Sequence, residues 1–182
     1  MGRRRCAMNY FEFFGLPVSF QVDEGALRRI YLQNSRRYHP DFHTLADADQ
    51  QAEMLRMSSL NNEAFLALSD LDRRIRHVLE MKGLLGDERQ QPALPADFLL
   101  EMMDINEGLM ELEMDPDPQR YQQTVLAVKD LERLLLQQAQ PALRAYTEPG
   151  GSEADLMEVR DYFLKRRYLL RILENLSKFA PR

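Results

Sequence analysis

The sequence predicts an all-α protein: an N-terminal antiparallel helical hairpin with short flanking helices, followed by a C-terminal three-helix bundle. Three observations predict it. Apolar residues recur at helical spacing along almost every segment. β-branched residues are few, and no stretch alternates apolar with polar residues for long. Gly and Pro clusters cut the chain into helix-length pieces. The composition agrees with a packed chain, since 45% of the 182 residues are hydrophobic and 29% are charged.

Residues 1–7 are basic but too short for a secretory signal, and no apolar h-region comes after them. They read as an extension, either from an upstream start codon or as a targeting remnant, with Met8 the more natural start. Residues 9–14 form a short helix carrying Tyr10, Phe11, Phe13 and Phe14, ended by Gly15 and Pro17. Asp23 is the expected N-cap of a helix over 23–38. Leu27, Ile30, Tyr31, Asn34 and Tyr38 share one face of it, and Arg28, Arg29, Arg36 and Arg37 lie mostly off that face. A loop over 39–45 comes next. The spacing of Leu55, Ser59, Asn62, Phe65 and Leu66 predicts a helix over 47–68. Another covers 71–82, with Gly83 at C′. The turn-rich stretch 83–95, with Gly86, Pro92 and Pro95, marks a boundary. The expected domains are 8–82 and 94–182, with a linker over 83–93.

Three longer helices are expected beyond it, over 96–114, 117–146 and 152–179. Pro116 and Pro118 separate the first two. Glu148-Pro149-Gly150-Gly151-Ser152 separates the last, with Ser152 as its N-cap. Short connections imply antiparallel neighbours, hence a bundle. Pro141 should kink or end the second helix.

Several function classes are disfavoured. The net charge of −5 argues against bulk attraction to nucleic acid. No apolar run approaches the ~20 residues that span a bilayer. Cys6 is the only cysteine, so neither an internal disulfide nor a zinc site can be built from thiols alone, which fits a reducing compartment.

The most informative residues are His39-Pro40-Asp41. Pro40 donates no backbone hydrogen bond and drives His39 out of helical geometry. The imidazole and the carboxylate therefore flank a rigid turn at an exposed tip. An acid–base pair would need a shaped site, and no nucleophile motif accompanies these residues. His39 and His43 could be a metal pair only on one helix face, which Pro40 opposes. The plain alternative is a turn in which Pro40 stops one helix and Asp41 caps the next.

The flanks favour a functional turn. Arg36-Arg37-Tyr38, then His39-Pro40-Asp41, then a helix containing Asn62-Glu63-Ala64-Phe65-Leu66-Ala67-Leu68 together resemble the J-domain of DnaJ-type co-chaperones. The resemblance implies that His39, Pro40 and Asp41 stimulate ATP hydrolysis by a DnaK-class partner, with Arg28, Arg29, Arg36 and Arg37 as docking cations. Phe42 departs from the pattern, because many J-domains carry Lys or Arg there. The Gly/Phe-rich linkers and zinc-binding Cys repeats of other J-proteins are absent. With the start Tyr10-Phe11-Glu12-Phe13-Phe14-Gly15-Leu16-Pro17 and the rear bundle, the chain resembles the HscB family over essentially its whole length. That resemblance implies a non-enzymatic co-chaperone that binds the iron–sulfur scaffold IscU and delivers it to the chaperone HscA. The cluster belongs to the scaffold, so no cofactor or metal is expected on this chain. Some family members carry an N-terminal zinc-binding Cys pair, which Cys6 alone cannot supply.

The helix after Pro95 points to a client site independently. At about 100° per residue, Phe98, Met102, Ile105, Leu109 and Leu112 form a core stripe. Leu99, Leu100, Met103 and Met110 fall roughly opposite, interleaved with Asp104, Glu107 and Glu111. A second apolar face rimmed by carboxylates suits either a basic-rimmed partner or another helix of the bundle. The family resemblance implies docking through Leu99, Leu100, Met103, Asp104, Glu107 and Glu111, with Tyr168 as a further contact; the shorter Asp104 stands where a relative has Glu. Arg160, Lys165, Arg166, Arg167 and Arg171 on the last helix read either as a nucleic-acid face or as a solvated face paired with neighbouring helices, and the acidic neighbours favour the second. The rival functions are a J-protein with a different client or a general folding role, and a helical nucleic-acid-binding protein. The expected location is the cytoplasm for a bacterial chain and the mitochondrial matrix for a eukaryotic one.

Overall fold

The computed structural model describes residues 9–43, 46–85 and 94–180. The N-terminal extension with Cys6, most of the expected linker and the side chain of His43 lie outside the described residues. The chain divides into two compact units: Met1–Leu85 with Leu143–Ser152, and Gly86–Ala142 with Glu153–Arg182. Among the described residues there is no β-strand, only one isolated bridge between Ser19 and Thr147.

The first unit is built on α1 (Tyr10–Phe14), α2 (Glu24–Arg37), α3 (Ala48–Ser69) and α4 (Leu71–Met81). Each starts on a side-chain cap that satisfies an orphan N–H of the first turn. Asn9 accepts from Phe11 and Glu12, Asp23 from Ala26, Asp47 from Gln50, and Asp70 from Arg73. Gly15 and Gly83, at φ 63° and 67°, supply the left-handed residue that closes α1 and α4. Tyr31 and Asn61 join α2 to α3. The Asn61 amide donates to the Tyr31 carbonyl and to Ser35 Oγ, both at 3.1 Å, and the Tyr31 ring stacks on Phe65 at 4.2 Å. Phe11, Phe20, Leu27, Ala64, Leu68, Ile75, Val78 and Leu79 fill the core.

Two buried polar residues of α4 finish this unit, and no pattern in the sequence singles them out. Arg74 donates to the carbonyls of Leu68 and Phe20, both at 2.8 Å, so its guanidinium closes the α3 C-terminus and holds the loop before α2. His77 accepts the Tyr10 N–H on Nε2 at 3.2 Å and stacks on the Tyr10 ring at 4.3 Å.

Residues 143–152 complete the same unit. Ser19 Oγ donates to the Tyr146 carbonyl at 3.1 Å, the Glu148 N–H donates to Val18 O at 2.9 Å, and the Tyr146 ring lies 5.2 Å from that of Phe20. Tyr146 also donates to Glu148 at 2.7 Å, and Glu148 pairs with Lys82.

The second unit contains α5 (Ala96–Glu101), α6 (Met103–Met114), most of α7 (Pro118–Ala145) and α8 (Glu153–Leu176). The helix expected over 96–114 is divided at Met102, where ψ tightens to −6°. The core stripe Phe98, Met102, Ile105 and Leu112 continues through the break, so the hydrophobic pattern does not announce it. Pro141 does not end α7, which runs on to Ala145. Burial of Ala139, Ala142 and Leu143 around it outweighs the hydrogen bond that Pro141 cannot make. Pro118 stands at the first helical position, where no N–H is needed, and Asp117 caps the turn by accepting from Arg120 at 2.8 Å. No helix among the described residues is long and apolar enough to cross a membrane.

Candidate functional site

The first candidate surface is the turn after α2. Arg36 and Arg37 occupy the last turn of that helix, where cations oppose the negative end of the helix dipole. Tyr38 pins this end. It is buried, its N–H donates to Asn34 O at 2.9 Å, its ring lies 6.5 Å from Phe13, and the Arg37 guanidinium sits 5.5 Å over it. One residue later the chain is in solvent. The side chains of His39 and Asp41 are 52% and 84% exposed.

Pro40–His43 form a single 3₁₀ turn. The Phe42 N–H donates to His39 O at 3.1 Å. The Asp41 N–H donates to His39 Nδ1 at 3.2 Å, and the Asp41 carboxylate stands 3.7 Å from the same nitrogen. An Nδ1 that accepts leaves the ring proton on Nε2 in the neutral imidazole. The His39 imidazole therefore braces the turn through the backbone N–H of Asp41; the cap of the following helix is Asp47. Arg28, Arg29, Arg36 and Arg37 are all exposed on α2. Arg28, Arg29 and Arg36 form no ion pair among the described residues, so their charges remain available to a partner.

The second surface lies on α5 and α6. Phe98, Met102, Ile105 and Leu112 are buried and Leu109 is half-buried, whereas Leu99, Leu100, Met103 and Met110 are exposed. Leu100 and Met103 are 68% and 62% exposed. No helix among the described residues of this unit covers that face. Asp104 and Glu107 are exposed beside it. Glu111 is half-buried and already engaged by Arg120 on α7 at 2.6 Å, a pairing the sequence does not signal. Tyr168 is half-buried against Phe98, edge to face at 6.0 Å, with Arg171 5.7 Å over its ring. Met114, omitted from the sequence reading of this face, is exposed one turn beyond Met110.

The basic residues of α8 are spent on neighbours. Arg166 pairs with Glu132 at 2.9 Å, Lys165 lies over Phe98, Arg167 over Phe163, and Arg160 approaches Asp161. Among the described residues no group of three His, Cys, Asp or Glu side chains is placed to hold a metal ion.

A hairpin unit that presents an arginine-bearing helix and a His-Pro-Asp turn, together with a helical bundle that exposes an apolar face, defines a two-part J-type co-chaperone. Residues 94–177 match the family described as the HSCB C-terminal oligomerisation domain. The chain is 31% identical over 180 residues to the co-chaperone protein HscB homolog of Aeromonas hydrophila, covering 94% of this chain and 96% of that one. It belongs to the HscB family. The homolog from Aeromonas salmonicida is 27% identical over 172 residues, with the same coverage. Among solved structures, human co-chaperone protein HscB superposes with a TM-score of 0.71 at 26% identity, covering 93% of this chain and 81% of that one. Chaperone HscB from Vibrio cholerae shares the fold, with a TM-score of 0.72 at 24% identity and coverage of 93% and 96%.

Proposed function

We propose that this co-chaperone joins a DnaK-class ATPase of the HscA kind to the iron–sulfur scaffold IscU, and that it stimulates ATP hydrolysis by the first while holding the second. The observation that carries this reading is the exposed His39-Pro40-Asp41 turn at the end of an arginine-bearing helix. Such a turn lacks the parts of an active site. It has no nucleophile, and its imidazole and carboxylate both face water. It has what a contact element needs, namely a fixed backbone and side chains open to solvent. The chemistry of hydrolysis then belongs to the ATPase, and this chain biases its conformation by binding one state better than the other.

The scaffold contact is assigned to Leu99, Leu100, Met103, Asp104, Glu107 and Glu111, with Tyr168 supporting Phe98 behind them. An apolar patch with a carboxylate rim selects a partner with an apolar centre and basic surroundings. The iron–sulfur cluster is the scaffold's cargo. For a bacterial chain the process takes place in the cytoplasm. A role as a nucleic-acid binder is opposed by the α8 cations, which pair with Glu132 and with aromatic rings of their own unit.

The test is His39→Gln. Stimulation of the chaperone's ATPase is expected to vanish, while helicity by circular dichroism and scaffold binding by calorimetry stay at wild-type values. Stimulation equal to wild type would overturn the assignment of the turn.

A further inference from the structure

Among the nine Phe and seven Tyr of the chain, Phe42 is the one exposed aromatic among the described residues, at 72%. Every other ring is buried or half-buried in its own unit. Folding leaves this ring in water, and it does so directly beside His39-Pro40-Asp41. The local geometry fixes where it stands. A 3₁₀ turn has three residues per turn, so residues i and i+3 eclipse. The Phe42 N–H to His39 O bond closes that turn, and the two rings meet edge to face at 5.8 Å with planes 63° apart. His39 and Phe42 therefore form one aromatic ledge on one side of the turn.

Resting on the function proposed above, we infer that Phe42 is a binding contact to the ATPase, seated in an apolar recess beside the surface that receives the α2 arginines. The partner chemistry is set by the two neighbouring features. The exposed cations Arg28, Arg29 and Arg36 select an acidic surface, and an exposed ring next to them selects an apolar depression in that surface. Phe42 gives the contact a component that salt does not screen, where the arginines alone would give a wholly screened one.

The experiment titrates the full chain against the DnaK-class ATPase and reads the half-saturating concentration and the maximum of stimulation for wild type, Phe42→Ala, Phe42→Leu and His39→Gln. Phe42→Ala is expected to raise the half-saturating concentration by roughly tenfold, as for loss of a buried aromatic anchor, with Phe42→Leu intermediate. Repeated at higher salt, the fold difference between Phe42→Ala and wild type is expected to persist undiminished, because both keep the same charges and the lost apolar contact is not screened. An unchanged half-saturating concentration for Phe42→Ala overturns the inference, whatever happens to the maximum. If it is unchanged while His39→Gln is inactive, the Phe42 assignment alone fails. If His39→Gln stimulates like wild type, the functional reading beneath it fails and this inference falls with it.

Discussion

At the scale of single residues, the J-type unit carries a buried histidine whose protonation works against folding. Burial holds His77 below the ordinary histidine value, and the nearby Glu80 carboxylate opposes that shift without reversing it. The geometry agrees, because Nε2 accepts the Tyr10 N–H and a proton there would set two donors against each other. Above about pH 6.5 the imidazole is neutral in the folded and unfolded chains alike, and the contribution of His77 is fully present. As pH falls below that value, the unfolded chain takes up a proton that the folded chain refuses. Stability is then lost by up to about 1.4 kcal/mol per pH unit until the lowered folded value is reached. The urea midpoint of the wild-type protein should therefore drop between pH 7.5 and pH 5.5. His77→Gln keeps an acceptor near Tyr10 and does not titrate, so its drop should be smaller; equal drops would remove His77 from the account. Glu148 has a linkage of the same sign. Burial raises its carboxyl, but hydrogen bonds from Lys82 and Tyr146 outweigh this and leave it lowered, so its contribution is lost as acid protonates it.

At the scale of elements, helix–helix approach in the second unit depends on one missing methyl group. A Cβ on Gly108 of α6 would stand 2.5 Å from Thr124 Oγ1 of α7, and Thr124 is itself buried with its hydroxyl donating to Arg120 O at 3.0 Å. In an open helix Gly→Ala gains roughly 0.5–1 kcal/mol, but overpacking a close contact costs about 1–3 kcal/mol. The clash wins here. Gly108→Ala should lower the thermal midpoint, and Gly108→Ala with Thr124→Ala should recover most of the loss. A single variant as stable as wild type would mean that the helices can part without cost. The helix boundaries were legible because their signals are local. Asp23, Asp47 and Gly83 stand in the sequence where the structure uses them, and the two faces of 96–114 separate by periodicity alone. The break at Met102 was not legible, because the apolar spacing runs unbroken through it. Continuation of α7 past Pro141 was hidden for a related reason: a local rule predicts a stop, and burial on both sides of the proline overrides it. At the turn, the sequence announces that His39 leaves the helix, but not that its imidazole accepts the Asp41 N–H or that Asp47, rather than Asp41, caps α3.

At the scale of the whole molecule, the two compact units are not consecutive stretches of chain. Residues 143–152 belong with the first, through contacts such as Ser19 with Tyr146 that join positions 127 apart in sequence. No periodicity encodes a pairing at that distance, so the sequence offers only a turn there. The consequence is practical. Ending the chain near residue 85 would strip Phe20 and Lys82 of partners, so function must be divided by point substitution and not by truncation. Under the function proposed above, two surfaces on two units of one chain would make a bivalent adaptor, with tethering raising the local concentration of scaffold at the ATPase to about the millimolar range typical of short linkages. Leu100→Ala with Met103→Ala tests that division. Both side chains are mostly exposed, so the double variant should melt within about 0.5 kcal/mol of wild type, as exposed substitutions usually do. Scaffold affinity by calorimetry should fall tenfold or more, by roughly the 1.4 kcal/mol or above that truncated anchors cost. Stimulation of the ATPase without scaffold should stay at the wild-type level. Undiminished scaffold binding would move the client site elsewhere on the bundle, whereas unfolding of the variant would make this face part of the core.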